Sequence, residues 1–117
     1  MLWNFLFKER SKKVIPYLEW LYDEDIQEHI RLSTEFNEEI SEELKAPYLP
    51  FYVHNVFDFY DRIKTQWNVG FDGLIGLNYQ SIVQMSKVFD FELSEVNMMI
   101  IQEIELFIVE KSRKKNG

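Results

Sequence analysis

Along most of the chain apolar residues recur at steps of three and four, the period of a helix buried on one face. The clearest case is residues 50 to 67. Val53, Val56, Phe57, Tyr60, Ile63 and Trp67 form one stripe, while His54, Asn55, Asp58, Asp61 and Arg62 fall on the opposite side. Pro50 suits the first turn and Asp58 stands four residues before Arg62, so the spacing predicts an amphipathic helix from Pro50 to Trp67. Before it, Ile26, Ile30, Phe36, Ile40 and Leu44 give a narrower stripe from Tyr22 to Lys45 that slips after Ile30. That pattern predicts a helix broken near Ser33 or Asn37, followed by an extended connector at "PYLP".

Two further helices close the chain. Asn78 is a good N-cap for one running to about Phe89. "DFEL" breaks the pattern, and Ser94 caps the last, with Leu93 and Met98 placed for a hydrophobic staple. In this helix Val96, Ile100, Ile104, Phe107 and Ile108 make one apolar face, and Met98, Met99, Ile101 and Val109 make a second. A helix apolar over most of its circumference is a central core helix or shares one face with another chain. The balance favours a protein contact, and Met98 and Ile101 become candidates for it, with a homo-oligomer as a further option. No segment sustains two-residue alternation. The fold expected is all-α, a small single-domain helical bundle of about four to five helices.

At 117 residues the chain suits one domain, and 46% hydrophobic content gives it a real core. Its charge divides it into an acidic segment over residues 1–46, a core over 47–112 and a basic tail over 113–117. Between residues 19 and 43 ten carboxylates face one arginine. The net charge of −7 repels phosphates, so nucleic acid is not an expected partner. With no cysteine there is no disulfide, zinc-thiolate site or thiol nucleophile. The longest strongly apolar run, "VNMMII", falls well short of the roughly 20 residues a membrane span needs. At the N-terminus "MLWNFLFKERSKK" sets its apolar part before its basic part, the reverse of a secretory signal, so a cytoplasmic location is expected.

Catalytic chemistry finds little support. His29 and His54 are isolated, no G-x-S-x-G elbow is present, and "NEEISEE" lacks the alternating ligands and turning glycine of a calcium loop. No enzyme, metal or cofactor is expected.

One stretch resists this bland account. "TQWNVGFDGLIGLNY" spaces Gly70, Gly73 and Gly76 evenly between Trp67 and Tyr79. A dinucleotide fingerprint needs G-x-G-x-x-G after a strand, and a phosphate cradle normally adds a cation that this segment lacks. A short hairpin turn at Asp72-Gly73 is a second option. The favoured reading is a packed interhelical loop, with Gly70 in the left-handed position that ends one helix and Gly76 turning the chain into the helix capped by Asn78. Phe71, Leu74, Ile75 and Leu77 are too apolar for a solvated loop, so they are expected to pack on the domain or on a partner. Trp67 and Tyr79 are expected to fix the segment's shape.

The same residues resemble a small bacteriophage family of tail-assembly chaperone-like proteins, whose members look like TQWR, spaced glycines, then GLDY. Thr65, Gln66, Trp67, Gly70, Gly73, Gly76, Leu77 and Tyr79 match, while Asn68 stands for Arg and Asn78 for Asp. "PYLPFYVHNVFDFYDRIK" is similar to the family's lead-in and "IIQEIELF" to its closing helix, so the likeness spans residues 46 to 110. It implies a non-enzymatic protein of the host cytoplasm, absent from the mature virion, that transiently binds the tail tube or tape-measure protein. The acidic segment suggests an alternative, a phage-encoded inhibitor of a host nucleic-acid-binding or defence protein, with carboxylates imitating phosphates.

Overall fold

The computed structural model describes residues 9–70 and 73–116. Among them are five α-helices and one hairpin: α1 (Ile15–Leu21), α2 (Glu24–Glu35), α3 (Phe51–Ile63), β1 (Trp67–Gly70), β2 (Gly73–Leu77), α4 (Tyr79–Val88) and α5 (Glu95–Asn116). Short 3-10 turns precede α1 at Lys12–Val14 and lie between α2 and α3 at Glu42–Leu44. The chain is therefore largely helical but not all-α, because a two-stranded antiparallel sheet stands where an interhelical loop was expected.

α5 is the centre of the fold. It packs against α1, α3 and β2 and against the turn before α1. Ile100, Ile101 and Ile104 are fully buried there, in one cluster with Val14, Leu18, Val53, Val56, Ile63, Leu77 and Ile82. Much of its broad apolar circumference thus lies in an internal core, because elements pack on several sides of it. Fully burying an aliphatic side chain of this kind contributes about 1.5–3 kcal/mol. Ser94 caps the helix as the sequence predicts, its Oγ accepting from the Asn97 N–H at 3.2 Å.

α3 buries the stripe read from its sequence, Val53, Val56, Tyr60 and Ile63, and adds Phe59. It stops at Ile63 rather than Trp67 because residues 67–70 leave the helix to pair with β2. Arg62 does not serve the predicted pair with Asp58: Asp58 faces His54 at 3.2 Å, and the Arg62 guanidinium lies 4.9 Å from the Phe89 ring centroid. α2 breaks where expected, with Asn37 at φ 56, a left-handed conformation that Asn tolerates. It buries no residue, and its Arg31 is held by Glu28 at 2.6 Å and Glu35 at 3.1 Å on the solvated face. Such exposed pairs add little stability. The Trp20 indole donates to the Leu44 carbonyl at 2.8 Å and ties the turn at Glu42–Leu44 back to α1.

Candidate functional site

The hairpin pairs Trp67 with Leu77, Asn68 with Gly76, Val69 with Leu74 and Gly70 with Gly73. Ile75 is therefore an extra residue, a bulge that re-aims the strand. Because of it, Leu74 and Leu77, three residues apart, both turn their N–H groups toward α5. The Leu77 N–H donates to Glu105 Oε2 at 2.8 Å, and the Leu74 N–H reaches Ser112 Oγ at 3.4 Å. Glu105 and Ser112 are seven residues, two helical turns, apart and so occupy one face of α5. The inner edge of the sheet is pinned to the core helix by side chains.

Each glycine has its own physical reason. Gly73 has φ 111, a conformation that side chains rarely adopt, and it begins β2, so the hairpin offered as the second reading is present, while Asp72 lies outside the described residues. A Cβ on Gly70 would lie 2.6 Å from Ile75 Cδ1, so Gly70 gives that side chain room to cross it. Gly70 is in a strand and does not end a helix in a left-handed conformation. A Cβ on Gly76 would lie 3.1 Å from Glu105 Oε2, so its absence lets the carboxylate approach the backbone. Gly76 is likewise a strand residue paired with Asn68, not a turn into the next helix.

Glu105 holds the exit of the hairpin by two bonds. Beside the Leu77 N–H it accepts the Tyr79 hydroxyl at 2.8 Å. Burial, followed by this bond to a carboxylate, pushes the Tyr79 phenol well above its usual pKa. Asn78 caps α4, its Oδ1 accepting from the Ser81 N–H at 3.1 Å, and its own N–H donates to the Gln66 carbonyl at 2.8 Å. Trp67 packs on the core cluster that holds Tyr60. Burial, then the proximity of Tyr22, raises the Tyr60 pKa well above its usual value.

The candidate contact residues separate by burial. Leu77 and Ile101 lie in the core at 3% and 0% exposure, so neither offers surface to a partner. Leu74 and Met98 are half-buried, and Met98 and Leu93 both pack against the core. Ile75 is 62% exposed, and Val69, which the sequence did not single out, is 71% exposed. Phe71 lies outside the described residues. Glu105 was also missed, though a carboxylate between Ile101, Ile104 and Ile108 on an apolar face is the signal that marks it. What the hairpin presents is a pair of exposed β-branched side chains on a base held by backbone and carboxylate bonds.

Among the described residues no group of three His, Cys, Asp or Glu side chains is placed to hold a metal ion, and no helix is long and apolar enough to cross a membrane. Comparison with protein-family models, curated proteins and solved structures returns no match.

Proposed function

We propose that this chain is a non-enzymatic binding protein of phage tail assembly, which transiently holds the tail tube or tape-measure protein before it is built into a tail. The observation that carries the reading is that "TQWNVGFDGLIGLNY", where the family likeness is densest, is the hairpin that exposes Val69 and Ile75 from a pinned base. Exposed apolar side chains on a rigid support suit a contact whose strength comes from burying apolar area. The host cytoplasm is where such a contact would be made.

The test is capture from phage-producing cells at low and moderate salt, with bound proteins identified by mass. Tail tube or tape-measure protein retained at both salts is the expected result. A second reading, an acidic inhibitor of a basic host protein, draws on α2, which buries no residue and carries its carboxylates on the surface. Capture of a basic host protein alone, lost as salt rises, would replace the first reading with the second.

A further inference from the structure

A cleft of about 600 Å³ lies at the opposite end of the molecule from the pinned hairpin, between the start of α3 and the α4–α5 turn. Phe51 and Tyr52 from α3 and Asp90, Phe91 and Glu92 from the turn line it. Asn97 and Ser112, which mark the two ends on α5, are separated by roughly 22 Å along the helix axis.

Phe91 is held firmly, its ring stacked on Phe59 at 4.2 Å and 5°. The α4–α5 turn is held by hydrogen bonds as well. Asn97 donates its side-chain amide to the Glu92 carbonyl at 2.8 Å, Asp90 takes φ 52, and the Phe91 N–H donates to the Ser86 carbonyl at 2.8 Å. Phe51, by contrast, is 78% exposed although it begins a well-packed helix. An exposed ring lining the same cleft as an aromatic held by stacking is the composition of a contact surface rather than of a solvated helix end. The lining contains two carboxylates and no cation.

We propose that this cleft docks a short peptide segment of another protein, one that carries Lys or Arg next to an apolar side chain. The apolar group rests on Phe91 and Phe51. The cation lies between Asp90 and Glu92 and against the aromatic rings, which attract it through their faces. Arg62 over Phe89 shows the same chemistry within the chain, across the neighbouring side of this turn. A second copy is a poor occupant because each copy carries a net charge of −7. The inference is independent of the hairpin's function and assigns a second contact surface.

The test is a titration of the isotope-labelled full chain, followed by amide chemical shifts. The probe is the blocked peptide Gly-Arg-Leu-Arg-Gly, with Gly-Glu-Leu-Glu-Gly and Gly-Arg-Gly-Arg-Gly as controls. Shifts confined to residues 51–55 and 90–97, with both controls weaker, are the expected result. Asp90→Asn with Glu92→Gln should weaken the first peptide about three- to tenfold, a range typical of two partly exposed charges. Both changes keep the fold, since Asn accepts the left-handed backbone at position 90. Phe51→Ala, at an exposed ring, should weaken it by a similar factor. The proposal fails if the acidic peptide binds as well, if shifts spread over the carboxylates of α2, or if no shift appears at millimolar peptide. It also fails if the cleft resonances move with protein concentration alone, which would assign the surface to a second copy.

Discussion

Replacing Glu105 with Ala removes both acceptors that hold the exit of the hairpin. The Leu77 N–H, in a residue 3% exposed, then faces no carboxylate, and the Tyr79 hydroxyl loses its acceptor as well. A hydrogen bond to a charged group contributes about 1.5–3 kcal/mol, and the half-buried setting places each bond near the lower end. Allowing for partial rehydration of Tyr79, the loss should be about 2–3 kcal/mol. For a domain of this size that lowers Tm by about 8–12 °C. Glu105→Gln keeps one acceptor oxygen for the Leu77 N–H and turns its NH2 toward the Tyr79 hydroxyl, which can accept instead of donate, so it loses the charge assistance at both bonds and should cost about 1–2 kcal/mol. Tyr79→Phe should also cost about 1 kcal/mol, but almost nothing once Glu105 is Ala, because the two changes remove one shared bond. Urea unfolding followed by tryptophan fluorescence gives all four values, and hydrogen exchange at the Leu77 amide reports the backbone bond separately. The reasoning is refuted if Glu105→Ala unfolds within about 0.5 kcal/mol of the parent, or if Tyr79→Phe costs as much in either background.

Other perturbations probe the same frame. Trp67→Ala should destabilise by about 3 kcal/mol, toward the lower end for a large aromatic because the residue is half-buried, and thermal unfolding unchanged from the parent would remove its structural role. Gly76→Ala should cost about 1–2 kcal/mol by pushing Glu105 off the Leu77 N–H, and far less when Glu105 is already Ala. Raised phenol pKa values at Tyr60 and Tyr79 mean that the folded chain keeps protons which the unfolded chain releases near pH 10. Their contribution is full below about pH 10 and is lost as pH climbs above it; urea midpoints from pH 8 to 11.5 should fall steeply at the alkaline end, and Tyr60→Phe with Tyr79→Phe should flatten the slope. Ionisation of all six tyrosines near pH 10 in the still-folded protein would contradict this.

The helices were legible because their signals are local. The stripe Val53, Val56, Tyr60 and Ile63, the Asn78 and Ser94 caps, and the stop at Asn37 each depend on residues within a turn or two of one another. The hairpin was legible only as a second option, from Asp72-Gly73, since its strands are four and five residues long and the bulge at Ile75 breaks the alternation that announces a strand. Leu74 and Leu77 then stand three apart, which looks helical. The evenly spaced glycines suggested a single device, whereas Gly70, Gly73 and Gly76 answer three different neighbours: a side chain, a backbone angle and a distant carboxylate. Glu105 lies 26 residues from Tyr79 in the chain, so only the fold brings the two together. The same holds for Ile101, whose burial is decided by elements packed on several sides of α5.

The central claim is that the exposed part of the hairpin binds a tail component. Its most direct test is capture from phage-producing cells with the parent chain beside a variant carrying Val69→Glu and Ile75→Glu, at moderate salt. Both side chains are mostly exposed, so the variant should unfold at nearly the parent's temperature. The account predicts that the parent retains tail tube or tape-measure protein and that the variant loses it. Equal retention by both chains, or no tail protein with either, would contradict it.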